Sequence, residues 1–203
     1  MAERYFTYIS DAAHGDFGDS LKQRGRTVMD IIATKFPVSA RLGGMAVVLA
    51  LCVGVPLGVL AAYKRGTFID SLFSVIATCG IAVPGFVICT LLLYVFGVKL
   101  QWLPTLGLKS AQSYIMPVVP LAAYPTSYIM RLMRSSMLDV LGQDYMRTAK
   151  AKGLSQKVSL FKHALRNAIL PVITYVGPML AYTLTGSFVT EKIFTIPGLG
   201  GEF

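Results

Sequence analysis

From Gly43 to Tyr63 the chain carries no Lys, Arg, Asp or Glu over 21 residues. At 1.5 Å of rise per residue this makes about 31 Å of helix, enough to cross the hydrocarbon core of a bilayer. Three more uncharged stretches follow, so spans are predicted at about 43–63, 71–98, 110–130 and 167–190. Prolines interrupt all four. Pro56, between Gly54 and Gly58, predicts a kink in the first span, and Pro84-Gly85 predicts a break in the second. Pro117, Pro120 and Pro125 argue against a simple rod in the third, and Pro171 and Pro178 lie in the fourth.

Before the first span, residues 1–37 are polar and irregular. A helix is expected over Glu3–Ala13, with Tyr5, Ile9 and Ala12 on one side, and Gly15–Ser20 reads as a turn. Thr27 is placed to cap a second helix, with Asp30 completing a capping box. Val28, Ile31, Ile32 and Phe36 give that helix an apolar side, Pro37 is expected to end it, and it reads as an amphipathic helix on the membrane surface.

Composition supports an integral membrane protein. Charged residues make up 14% of the chain, against about 25% in soluble domains, and mean hydropathy is +0.61. The net charge of +9 raises nucleic acid as a partner, but the apolar runs assign it to a basic membrane face. Cys52, Cys79 and Cys89 lie inside apolar runs and read as small buried residues. His14 stands alone, and His163 reads as a packing residue, so no metal site is expected. No span holds an ionisable carboxylate or histidine, which argues against an ion-coupled carrier and an intramembrane protease.

Loop charge sets orientation. Segment 63–70 carries two Lys/Arg and segment 131–166 carries eight, while 99–109 carries two and the tail one. The first two segments are therefore cytoplasmic, and both chain ends face outside. Residues 1–37 hold five basic residues and no signal sequence, so the simplest reading is an internal piece of a longer membrane protein, with spans before and after it. The expected organisation is an extracytoplasmic segment 1–37, a membrane domain 38–190 with a cytoplasmic loop 131–166, and an extracytoplasmic tail 191–203. The expected fold is all-α: a polytopic helical bundle with about four transmembrane helices.

The basic loop has internal order. Asp144 to Lys152 suits a short helix, acidic in its first turn and basic in its last, with Gly153 as the left-handed residue after it. Leu141, Tyr145 and Ala149 form a narrow apolar face, and Arg147 and Lys150 a basic one. Ser155 can cap the next helix, where Val158, Phe161, Leu165, Ala168 and Val172 recur at spacings of three and four. Such a helix–Gly–helix element either rests on anionic lipid or docks into a partner.

Arg147-Thr148-Ala149, three residues and Gly153 resemble the EAA loop of bacterial ABC importer permeases. With His163–Pro171 they resemble the peptide/nickel branch, most of all the first permease subunit of oligopeptide importers. Further matches are Gly15-Asp16-Phe17-Gly18, Phe36–Ala40, Trp102-Leu103-Pro104, Gly177-Pro178, Thr185-Gly186-Ser187 and Pro197-Gly198-Leu199-Gly200. Two departures are that Arg147-Thr148 replace the motif's opening Glu-Ala, and that Leu170-Pro171 stand five residues later than the general motif places them.

The resemblance implies a multi-pass subunit of the bacterial inner membrane that works by alternating access. Its partners would be a homologous second permease subunit, two cytoplasmic ATPases, an extracytoplasmic substrate-binding protein and membrane lipid. Oligopeptides or dipeptides would be the cargo, with nickel chelates or glutathione as alternatives within the branch. Asp144, Tyr145, Arg147, Thr148, Ala149, Lys150, Lys152, Gly153 and Leu154 would couple to the ATPases. No catalytic residue or bound cofactor is expected in this chain; ATP and Mg would belong to the partner ATPases. Thr183, Ser187 and Thr190, with Tyr182, form a polar stripe that faces the translocation path or makes helix contacts, and Pro84 and Phe86 are candidates for a gate or a structural kink.

Overall fold

The computed structural model describes the backbone of residues 2–155 and 158–202, and their side chains except at residues 2–4 and 150. Among the described residues every named element is helical, and the one β-type pairing is an isolated bridge between Asp19 and Thr27. α1 (Ala2–Ala13) forms where expected. Thr27 opens α2 (Val28–Tyr63) through the anticipated box: its hydroxyl accepts from the Asp30 N–H at 3.1 Å, and the Asp30 carboxylate accepts from the Thr27 N–H at 3.4 Å.

α2 does not end at Pro37. It runs through Pro37 and Pro56 for 36 residues, about 54 Å, well beyond a hydrocarbon core of about 30 Å. Each proline removes one backbone donor, a loss that packed neighbours can accommodate. The separate surface helix expected before Pro37 is therefore the projecting start of α2. Along α2, Ala46, Ala50, Gly54, Gly58 and Ala62 are buried at every fourth position. That spacing keeps small residues on one face and lets α5 (Ile115–Leu141) approach closely.

The second span breaks where Pro84 predicts. α3 (Phe68–Ala82) and α4 (Gly85–Leu92), extended by a wide π turn over Leu93–Lys99, meet at 99°. In α5, by contrast, three prolines do not prevent a single helix of 27 residues. Pro117 lies in its first turn, where no intrahelical donor is needed, and Pro120 and Pro125 are buried against neighbours. α5 therefore carries the chain on to Leu141, well past the predicted end of that span.

A short connection leads into α6 (Asp144–Ala151); a π turn over Ser159–Ala164 then precedes α7 (Leu165–Ala168). The fourth stretch divides into α8 (Leu170–Leu184) and α9 (Phe188–Ile193) at Gly186, whose φ is +96°. By length and apolarity, Val28–Tyr63 and Leu170–Ile193 can each cross a membrane, and the bent pair α3–α4 makes a third if it is one span. α5 is long enough as well, and it packs at the centre, against α2, α3, α4 and α8.

Two apolar clusters hold the ends. Near the α6 loop, Val59, Met133, Met137, Met146, Ala164, Ala168 and Val172 pack together. At the opposite end, Leu42, Cys89, Met116, Ala122, Phe194 and Ile196 do so. Of the three cysteines, Cys89 is buried as expected, while Cys52 and Cys79 are exposed on the outer faces of apolar helices.

Candidate functional site

α6 is seated by two residues. Met146 is buried in the methionine-rich cluster and Ala149 is buried one turn later. The apolar face of α6 therefore runs through Met146 and Ala149, not through Tyr145 as the sequence led us to expect. Tyr145 is 42% exposed, and its hydroxyl accepts a hydrogen bond from the Asn167 amide at 2.9 Å. The solvent face carries Asp144 and Arg147, paired at 3.5 Å with both side chains largely in water, so this contact contributes little to stability. The Thr148 hydroxyl donates back to the Asp144 carbonyl at 3.1 Å. Lys152 is exposed and Leu154 is 39% exposed. The Lys150 side chain lies outside the described residues.

Gly153 takes the left-handed conformation expected of it, with φ +76°. The Leu154 N–H then reaches the Ala149 carbonyl at 3.3 Å and closes the end of α6. The Ser155 hydroxyl accepts from the Val158 N–H at 3.4 Å, as a cap should. The following helical stretch buries Ser159, Ala164, Ala168 and Val172, while Val158 and Phe161 are exposed. The predicted face included those two residues; the π turn adds a residue to one turn and shifts the phase of everything before it.

The loop is tied to the bundle by an ion pair. Arg134, near the end of α5, donates to both oxygens of Asp70, at 2.6 and 2.8 Å. The Gly66 N–H adds a third bond to Asp70 at 3.0 Å, and Asp70 is 5% exposed. This bidentate clamp joins the α2–α3 turn to the helix that leads into α6.

Away from the loop, a cavity of about 660 Å³ opens between α4, α5, α8 and α9. Five of the six residues proposed for a path line it: Phe86, Tyr182, Thr183, Ser187 and Thr190. Pro84 sits at the break beside it and is not in the wall. The wall holds no Asp, Glu, Lys, Arg or His among the described residues. The five residues differ in their roles. Tyr182 is 82% exposed. The Thr183 hydroxyl donates to the Met179 carbonyl at 2.7 Å, and Ser187 caps α9 by accepting from the Thr190 N–H at 3.3 Å. Thr183 and Thr190 stand on different helices, so their spacing does not reflect one continuous helical face.

Glu191 was missed by sequence reasoning, which left every span without a carboxylate. It is 2% exposed at the end of the Leu170–Ile193 stretch. One oxygen accepts from the Ser39 hydroxyl at 2.7 Å and the other from the Gly201 N–H at 2.9 Å. The Leu199 N–H donates to Ser39 at 2.8 Å. A Cβ at Gly186 or Gly198 would collide with Glu191 or Ser39. Three motifs noted separately, around Ser39, Gly186 and Gly198, thus meet at one carboxylate. Their shared need for small residues was the available signal.

A helical bundle that seats a short helix at one end and holds an uncharged cavity beside a broken helix pair defines an all-helical membrane protein. The comparisons narrow the class. Residues 54–203 match the model of the binding-protein-dependent transport system inner membrane component, and the chain belongs to that family. It is 46% identical over 200 residues to the dipeptide transport system permease protein DppB of Bacillus subtilis (strain 168), covering 98% of this chain and 65% of that protein. It is 44% identical over 202 residues to the oligopeptide transport system permease protein OppB of Salmonella typhimurium, covering 98% and 66%. The chain thus spans just under two thirds of these relatives. In fold it resembles the inward-facing MetNI methionine ABC transporter, with a TM-score of 0.67 at 19% identity, over 86% of this chain and 79% of that one. It also resembles an amino acid ABC transporter solved with histidines, with a TM-score of 0.60 at 17% identity over 85% and 76%.

Proposed function

We propose that this chain forms most of one permease subunit of an ATP-driven importer that carries peptides across the bacterial inner membrane. The observation that carries the reading is α6: a short helix rooted by Met146 and Ala149 that turns Asp144, Arg147 and Thr148 outward at the basic end of the bundle. Charge asymmetry supports a cytoplasmic position for that end. There α6 docks into a cleft of an ATPase, one on this subunit and one on a homologous second permease subunit. ATP and Mg are held by those ATPases, and this chain supplies no step of the hydrolysis. An extracytoplasmic binding protein delivers peptide to the opposite end. The uncharged cavity suits cargo whose common feature is a neutral amide backbone, and the relatives named for dipeptide and oligopeptide transport support the same cargo.

Mechanically, nucleotide-driven movement of the ATPase pushes α6. The Met146 root and the Asp70–Arg134 clamp pass that displacement to α5 and α3. α3 leads to the break at Pro84, beside the cavity. The test is Arg147→Glu in the complete importer in proteoliposomes. Arg147 is exposed, so the subunit should still insert. Peptide-stimulated ATP hydrolysis and uptake should both fall about tenfold or more, because one reversed charge in a docked interface costs more than about 1.4 kcal/mol. Full uptake by Arg147→Glu, and by Gly153→Pro as a second variant, would remove α6 as the coupling helix.

A further inference from the structure

A row of tyrosines continues from the cavity toward the α6 end, and peptide coupling through α6 leaves it without a role. Tyr124, Tyr128 and Arg131 lie on one face of α5, four and three residues apart. The rings of Tyr124 and Tyr128 stack with centroids 6.3 Å apart, and Tyr128 meets Tyr175 of α8 at 4.4 Å. Tyr124 lines the 660 Å³ cavity and also a second one of about 400 Å³, whose wall includes Tyr128 and Arg131. The two cavities therefore meet at Tyr124, and together their walls follow α5 from Pro120 to Leu132, about 18 Å of helix.

The charges along this wall are uneven. Arg134, three residues beyond Arg131, is neutralised by Asp70. Arg131 is exposed, and among the described residues no carboxylate pairs with it. It is the one cation in either cavity wall among those residues. Lipid tails offer no hydrogen-bond partner to a row of phenol hydroxyls or to an unpaired guanidinium. A face that meets a peptide gains from both. Tyrosine is rigid and apolar along its ring, and its hydroxyl both donates and accepts, so it can serve successive peptide N–H and C=O groups whatever their side chains.

We propose that Tyr124, Tyr128 and Tyr175 form a main-chain track for the peptide, and that Arg131 receives the peptide's terminal carboxylate at its cytoplasmic end. This rests on the peptide-importer reading and adds to it where cargo touches this subunit. The wall's length suits a short extended peptide of about five residues at roughly 3.3 Å each.

The test uses the complete importer in proteoliposomes with its binding protein and radiolabelled tri-alanine. With the photo-reactive residue p-benzoylphenylalanine in place of Tyr128, light should attach labelled peptide to this subunit only when ATP is present. The same residue in place of Val75, 60% exposed on α3, should not. Attachment of Tyr128's replacement to the second permease subunit, and never to peptide, would make this face a subunit contact and overturn the track. In the second arm, Arg131→Gln should slow uptake of tri-alanine about tenfold, while Arg131→Lys restores most of it. Uptake of tri-alanine amide, normalised to the unsubstituted importer, should be insensitive to Arg131→Gln. Equal slowing of both peptides, or no slowing of either, overturns the role of Arg131. An unsubstituted importer with no ATP-dependent uptake refutes the importer reading itself, and the track falls with it.

Discussion

Gly58 offers a direct test of how α2 and α5 fit together. A Cβ placed there would stand 2.6 Å from the Met130 carbonyl oxygen and 2.6 Å from the Met133 Cβ, where ordinary contact begins at 3.4 Å. Gly58→Ala therefore requires the helices to part by roughly 0.8 Å. The obstacle on α5 is backbone, so no rotamer change removes it. Gly44 lies in the same helix, and a Cβ there would meet nothing within 4 Å. Gly44→Ala therefore registers only the gain in helix propensity, about 1 kcal/mol. Both variants share that gain, and the difference between them isolates the overpacking cost, about 1–3 kcal/mol. Gly54 is blocked in the same way, 2.8 Å from the Thr126 carbonyl oxygen. One separation of the helices relieves both collisions, so the double variant should cost less than the sum of the single ones. Thermal unfolding of the detergent-solubilised complex measures every variant against the unsubstituted protein. Equal stability of Gly58→Ala and Gly44→Ala would refute the close approach, and strict additivity would refute the shared separation.

Removing one side of the Asp70–Arg134 clamp should be expensive. Arg134→Ala leaves a buried carboxylate with only the Gly66 N–H and should cost about 3 kcal/mol, the low end for such pairs because the guanidinium is partly in water. Chemical unfolding of both single variants and the double should give a coupling energy of about 1–3 kcal/mol. Glu191→Ala strips partners from the Ser39 hydroxyl and the Gly201 N–H, at about 1–3 kcal/mol each. It should expose residues 194–202 to added protease, read by the rate of tail cleavage. Gly153→Ala meets no atom within 4 Å, so only the positive φ opposes it. It should cost about 1 kcal/mol, and the ratio of transport to ATP hydrolysis should drop less than with Gly153→Pro.

Much of the molecule can be read one residue at a time. Uncharged runs of about 20 residues or more force membrane burial whatever their neighbours do. The Thr27–Asp30 box, the left-handed Gly153 and the break at Pro84 are also local, because each depends on backbone geometry within a turn or so of chain. The same local rules misjudged Pro37 and the prolines of α5. A proline's lost hydrogen bond is small against the packing along a long buried helix, and that packing comes from α2 meeting α5. The face of α6 was misjudged for a related reason. Tyr145 and Met146 are both plausible anchors by pattern, and only the position of Met133 and Met137 decides between them.

Read alone, then, the chain discloses that it lives in a membrane, which end is basic, where its short helices begin and stop, and which family its loop resembles. All but the last follow from hydropathy, charge and backbone stereochemistry, which act over short distances along the chain; the resemblance rests on the motif residues themselves. Helix packing was needed to gather Ser39, Gly186, Glu191 and Gly198 into one cluster, to join Asp70 to Arg134, and to align tyrosines of α5 and α8 beside a common cavity. Those partners lie far apart in sequence, 64 residues for the ion pair and 152 for Ser39 and Glu191. Contacts at such separation depend on how whole helices meet, which no local pattern encodes.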